Sequence, residues 1–269
     1  MFRAADSAVS GLRQHQIFLD VTGNNVANVN TDGYKVNRAM FEDTLSQVAR
    51  GGGITSPPQP NGAINPAMLG LGVSTRAIYG EFHQGAFLTT NKPTDLAIGG
   101  SGYFVLQGNG GERTYTRNGN FTLDAQGVLR AGNGKAVLGV DNRPIRIPDA
   151  TQTQANFSFG PSGQIAVRAA DGTQRTLGAI QIARFANDAG LFRTGDTEFR
   201  ATEQSGAPIA GTGGTGGRGS VYAGVVEASN VDLGRELSNL ILAQRGYAAS
   251  SKVLRTMDEL ADSVNQIRR

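Results

Sequence analysis

The sequence predicts a discontinuous α+β fold. An N-terminal and a C-terminal helix pair as a coiled coil, and an all-β, largely antiparallel domain is inserted between them. Three observations carry this. The last stretch, Val231 to Ile267, places apolar residues at Leu233, Leu237, Leu240, Ile241, Tyr247, Leu254, Met257, Leu260, Ala261, Val264 and Ile267, mostly three, four or seven apart and without a proline. The first stretch, Met1 to about Val29, repeats a narrow heptad stripe at Ala5, Val9, Leu12, Leu19 and Val26. Between them, runs of β-formers are cut by glycine-rich turns.

The C-terminal helix would span about 55 Å at 1.5 Å per residue, too long to fold back on a compact domain. It needs a partner along its length, and the other end of the chain offers one. The N-terminal helix runs into Gly23–Lys35, where Asn24, Asn25, Asn28 and Asn30 cluster. Asparagine amides compete for backbone hydrogen bonds inside a helix and suit its ends. The helix therefore stops here, or the amides are held by tertiary or inter-subunit bonds. Residues 51–72 combine glycines and prolines, a loop composition. From Val73 the pattern turns to β. Asn109-Gly110, Asn118-Gly119 and Asn133-Gly134 are type I′ hairpin signals. Before the last helix, Ser229, Asn230 or Asp232 is the expected N-cap. The expected division is a terminal helical core (1–35 and 223–269), a Gly/Pro-rich linker (36–74) and the β domain (75–222).

Composition narrows function by exclusion. The chain has 269 residues, a formal net charge of +3 and no cysteine, which removes disulfides, thiol nucleophiles and Cys-based metal sites. Acidic and basic residues are interleaved, so the charge does not point to nucleic acid. No run of about 18 apolar residues is present to span a membrane. The first residues lack the apolar core of a secretory signal. The two histidines, His15 and His83, are too few for a multi-imidazole metal site. Gly99-Gly100-Ser101-Gly102 leads into a strand, whereas a phosphate loop opens a helix. Nothing here requires an enzyme, a metal or a cofactor.

Four stretches carry a resemblance. SGLRQHQIFLDVTGNNVANVNTDGYK at the N-terminus, QGAFLTTNKPTDLAIGGSGYFVL and YTRNGNFTLDAQGVL in the centre, and EASNVDLGRELSNLILAQRGYAASSKVLRTMDEL at the C-terminus resemble the bacterial flagellar axial proteins, the hook and rod family. The resemblance spans nearly the whole chain in order. It implies a structural subunit, exported by the flagellar type III apparatus without a cleaved signal peptide, in the basal body or hook. Copies would polymerise into a hollow helical tube, bordered by rod, hook and hook-cap or junction proteins. Within the family, local motifs such as NPAMLGLGV and AQRGY make a short hook protein, linking the basal-body rod to the filament, the favoured reading, and the length, typical of the distal rod protein, makes that protein the alternative. Outside the family, the alternative is a secreted β-domain binding module held as a small oligomer.

The expected self-assembly residues are Val9, Leu12, Leu19, Leu237, Leu240, Tyr247 and Leu254 on the helix stripes. The resemblance adds Asn24, Asn25 and Asn28, whose amides would hold the turn where neighbouring subunits meet. In a free monomer the terminal helices are expected to be disordered, since their stripes have nothing to pack on.

Overall fold

A computed structural model of the chain describes residues 2–44, 46–50, 67–108, 110–147, 157–168 and 173–267. They form two compact units. Unit one comprises residues 1–26, 37–79 and 233–269, and unit two residues 27–36 and 80–232.

Unit one contains helix α1 (Phe2–Ala27), strands β1 (Asn37–Asp43), β2 (Ser46–Arg50), β3 (Ala67–Gly70) and β4 (Val73–Gly80), and helix α2 (Leu233–Ile267). β1 pairs with β4, and β2 with β3. Both terminal helices therefore form where the heptad spacing placed them. α2 begins at Leu233, so Asp232, not Ser229 or Asn230, precedes its first turn. Residues 37–79 group with the helices because their strands are tied to α1. Val73 N–H donates to Ser10 Oγ at 3.3 Å, Thr75 bonds Gln14, and the Phe18 and Phe41 rings meet edge to face at 6.1 Å. Residues 51–66 of the Gly/Pro-rich stretch lie outside the described residues.

Unit two carries β5 (Phe87–Thr89), β6 (Leu96–Gly99), β7 (Tyr103–Gln107), β8 (Arg113–Thr116), β9 (Phe121–Leu123), β10 (Leu129–Ala131), β11 (Ala136–Val137), β12 (Phe157–Phe159), β13 (Gln164–Arg168), β14 (Gln174–Ala179), β15 (Ile182–Arg184), β16 (Phe192–Gly195), β17 (Glu198–Arg200), β18 (Ile209–Gly211), β19 (Ser220–Ala223) and β20 (Val225–Glu227). Its largest sheet runs β16-β17-β8-β7-β11-β10-β9, with β15 joining β7 to β18. The registered pairs are antiparallel, as the short runs and close turns require.

β7 is the centre of this unit. Its first four residues, Tyr103, Phe104, Val105 and Leu106, are all buried, so both faces of the strand are covered. Phe104 and Leu106 join Leu96, Phe121, Leu129 and Ile165 on one side. Tyr103 and Val105 join Tyr115, Phe185 and Phe199 on the other. Each such side chain contributes about 1.5–3 kcal/mol relative to an exposed one.

The turn signals were realised unevenly. Asn133-Gly134 lies in the β10–β11 hairpin, with Gly134 at φ +83 closing a three-residue loop rather than a type I′ turn. Asn118-Gly119 makes no hairpin: β8 pairs with β7 and β17, β9 with β10, and Asn118 Oδ1 instead accepts from Asn120 N–H. Asn109 lies outside the described residues. Two consecutive non-glycine residues take left-handed conformations at Asp196-Thr197, at φ 51 and 58 between β16 and β17. A β-branched threonine gives no sequence signal for that conformation.

Candidate functional site

α1 and α2 run antiparallel and in constant register. Gly11 lies against Ser250, His15 against Gly246, and Asn25 bonds Glu236, so each step forward on α1 is matched by an equal step back on α2. The closest approach is made by small residues. Ala243 is fully buried and Ala8 nearly so, and a β-carbon on Gly246 would stand 2.3 Å from the His15 ring. Glycine and alanine let two helix backbones come close. A large side chain fits between them only opposite a small residue, as His15 does opposite Gly246.

This explains where the expected stripe residues fall. Leu12, Leu19, Leu240 and Leu254 are half-buried along the seam. Val9, Leu237 and Tyr247 are exposed. On α2, Leu233, Leu237, Ile241, Leu242, Tyr247, Val253, Leu260 and Val264 are all between 43% and 62% exposed. A helix apolar on so many sides is normally buried, and an exposed surface of this kind marks an interaction site.

The asparagines separate. Asn25 is buried, its Oδ1 accepting from Asn37 N–H at 2.9 Å while its Nδ2 donates to Asn37 O at 2.8 Å and to Glu236 Oε2 at 3.0 Å. Asn28 caps a turn, accepting from Thr31 Oγ1 at 3.1 Å and, through its carbonyl, from Thr31 N–H. Asn24 is exposed.

Sequence reasoning missed Glu236 and Arg38. Glu236, in the first turn of α2, is buried, and Arg38 Nη1 donates to its Oε1 at 2.8 Å. With Asn25 on Oε2, both carboxylate oxygens are satisfied. The last turn of α1, the start of β1 and the first turn of α2 are thereby joined. The only signal in the sequence was an acidic residue near a helix N-terminus, where it also meets the helix dipole favourably.

A second network missed in the sequence lies within unit two. Lys35 Nζ meets Glu227 Oε1 at 2.6 Å, and Arg117 Nη1 meets Oε2 at 3.3 Å; the side chains of Lys35 and Glu227 are wholly buried. Gly85 N–H also donates to Glu227 Oε1, and Lys35 Nζ to His83 O. Burial pulls the Lys35 ammonium below its ordinary range, with Glu227 opposing. Asn230 completes the tie, accepting from Val36 N–H at 2.8 Å and donating to Glu81 O at 2.9 Å. Residues 33–36 are thus fastened to residues 227–230. These groups come from the TDGYK, YTRNGN and EASN motifs, which are far apart in the chain.

Among the described residues no cluster of three or more His, Asp or Glu is placed to hold a metal ion. None of the described helices is long and apolar enough to cross a membrane. The fold leaves a run of apolar side chains exposed on a long terminal helix, the mark of a protein with an interaction surface outside its own core.

Comparison with known proteins agrees. Three family models match: "Flagella basal body rod protein" over residues 6–35, "Flagellar hook protein FlgE/F/G D1 domain" over 97–167, and "Flagellar basal body rod FlgEFG protein C-terminal" over 222–267. The chain is 39% identical to the flagellar basal-body rod protein FlgG of Bacillus subtilis over the full length of both. It is 40% identical to that of Agrobacterium fabrum, over 98% of each. The flagellar hook protein FlgE of Borreliella burgdorferi is 24% identical over an alignment of 444 positions covering both chains. The chain belongs to the FlgG family of flagellar basal-body rod proteins, a structural family and not one of enzymes. Of the two family members weighed from the sequence, the rod protein fits better than the favoured hook protein. Length was the better guide.

Proposed function

We propose that this chain is a structural subunit of the flagellar rod, in its distal part, and that it polymerises through its terminal helices into a tube. The observation that carries the reading is the outward apolar surface of α2 in a chain related over its full length to rod proteins. In this reading α1 and α2 pair as a coiled coil. Leu12, Leu19, Leu240 and Leu254 close the seam, and Val9, Leu237 and Tyr247 face neighbouring copies. Asn24, which is exposed, lies in this reading where a neighbouring copy meets the end of α1, whereas Asn25 and Asn28 set the local geometry. Further copies, adjacent rod and hook proteins, and the flagellar export apparatus are the partners. Export proceeds without a cleaved signal peptide.

Electron microscopy of basal bodies from a strain deleted for the gene tests this. A rod lacking its distal part and everything beyond it is expected. A complete rod without a hook would make the chain the hook protein. Intact hooks and filaments would sink both. They would favour a binding module, for which unit two offers a cavity of about 710 Å³ lined by Asn28, Tyr34, Asn118, Asn133 and Thr197. Truncation of 1–29 or 231–269 is expected to abolish polymerisation while unit two stays folded.

A further inference from the structure

The cavity of unit two, about 710 Å³, falls within the roughly 300–1,000 Å³ of small-molecule sites. Its walls come from four segments of that unit: the turn at 28–35, the link from β8 to β9, the β10–β11 hairpin and the β16–β17 hairpin. Asn28, Thr31, Asn118, Asn120, Asn133 and Thr197 line it. Amide and hydroxyl side chains both donate and accept hydrogen bonds. Leu106 and Phe199, also along the wall, are almost wholly buried and present little apolar surface.

The cations along this wall differ in their partners. Glu198 is buried, its Oε2 accepting from Lys135 Nζ and its Oε1 from Asn133 Nδ2, both at 2.5 Å. Lys35 is paired with Glu227. Arg193 has no such partner: among the described residues no carboxylate lies within ion-pair distance of its guanidinium. Its Nη2 donates to Lys35 O at 2.7 Å, and the guanidinium lies over the Tyr34 and Phe199 rings at 5.6 and 5.4 Å. Burial pulls it below its ordinary range, with Tyr34 opposing. A desolvated charge is normally paired, and this one lines the cavity. The strained turn lies on the same wall. Gly195, Asp196 and Thr197, at φ 101, 51 and 58, all line the cavity, and Thr116 Oγ1 holds Thr197 O at 3.0 Å. Non-glycine residues in this conformation cost energy and cluster at ligand clamps.

We propose that this cavity binds a saccharide carrying a carboxylate, with Arg193 meeting the carboxylate and the Asn and Thr side chains meeting the hydroxyls. A guanidinium fork matches the two oxygens of a carboxylate. The polar lining suits a hydroxyl-rich ligand, and the small apolar surface gives peptide side chains little to pack on. The site is independent of the rod reading, in which polymerisation rests on the terminal helices.

Isothermal titration calorimetry of the full chain tests this. The probes are oligosaccharides carrying uronate, neuraminate or muramate, their neutral counterparts, and a tripeptide with a free C-terminal carboxylate. At least one acidic saccharide is expected to bind, about tenfold or more tighter than its neutral counterpart. Arg193→Gln should weaken that binding about tenfold or more, and Arg193→Lys less, since it keeps the charge but loses the fork. Arg193 also contacts Phe199 and Lys35, so a second variant leaves it in place. Gly132 lines the cavity, and a β-carbon there would meet nothing within 4 Å. Gly132→Trp is therefore expected to obstruct the cavity and abolish binding while the melting temperature stays unchanged. Absence of binding by every one of these sugar acids at millimolar concentration would overturn the proposal. So would equal binding of the neutral saccharides, or binding that survives Gly132→Trp. Binding of the tripeptide in place of the saccharides would overturn the saccharide class and reassign the cavity to a chain terminus.

Discussion

The His15 imidazole lies directly over Gly246, so that a β-carbon at 246 would stand 2.3 Å from Cε1 and 2.5 Å from Nε2. This contact limits how near α1 and α2 approach.

Gly246→Ala separates packing from propensity. Alanine favours an isolated helix by about 1 kcal/mol over glycine. Here the overpacking against His15 is expected to outweigh that gain, for a net loss of about 1–2 kcal/mol. His15→Ala should recover most of it in the double variant. Denaturant unfolding of the four chains measures the coupling, and additive losses would count against the contact.

Glu236→Ala removes the carboxylate that the Arg38 guanidinium meets and one of the two acceptors of the Asn25 amide. Removing one partner from a buried ionic cluster costs about 3 kcal/mol. The loss should appear in the helical signal of unit one and leave the β unit unchanged. Circular dichroism with tryptic mapping distinguishes the two.

Leu237→Ala and Leu254→Ala should behave differently. Leu254 is half-buried within the single chain, so its loss is expected to cost about 1–2 kcal/mol in the monomer and more in the polymer. Leu237 is 45% exposed, and its loss should change monomer stability by less than about 0.5 kcal/mol. Both should reduce polymer yield, measured by sedimentation. An unchanged yield for Leu237→Ala would remove that residue from the interface.

Burial raises the Asp188 carboxyl above its ordinary value of 3.8, although Arg117, Tyr103, Arg184 and Lys35 pull it down. A raised folded-state value means that the stability linked to its protonation is fully present below 3.8 and is lost as pH rises through the folded value. Asp188→Asn keeps an acceptor for the Tyr103 hydroxyl and removes the charge. Its melting temperature is expected to exceed that of the unaltered chain at pH 7, with the difference shrinking toward pH 3.8. A difference that grows on acidification would reverse the assignment.

The helices and the antiparallel β unit were legible because they rest on local patterns. The heptad spacing at Val9, Leu12 and Leu19, and at Leu240 and Leu254, is written along the chain. So is the apolar run Tyr103–Leu106 that became the central strand. The left-handed turn at Asp196-Thr197 was not legible, since nothing local favours it, and the tie of Thr116 Oγ1 to Thr197 O comes from a strand far back in the sequence.

The assembly site divides in the same way. The sequence by itself determined that both ends are helical and that each carries a narrow apolar stripe in need of a partner. Only the tertiary structure decided which face meets which. Gly11 meets Ser250 and His15 meets Gly246, Ala243 is buried, and Leu12, Leu19, Leu240 and Leu254 are only half-buried. Lys35, Arg117 and Glu227, one from each of three distant motifs, also meet only in the folded chain. Periodicity reports that a helix has an apolar side. It does not report how closely two backbones approach, because that depends on the smallest residues in contact, which carry almost no hydrophobic signal of their own.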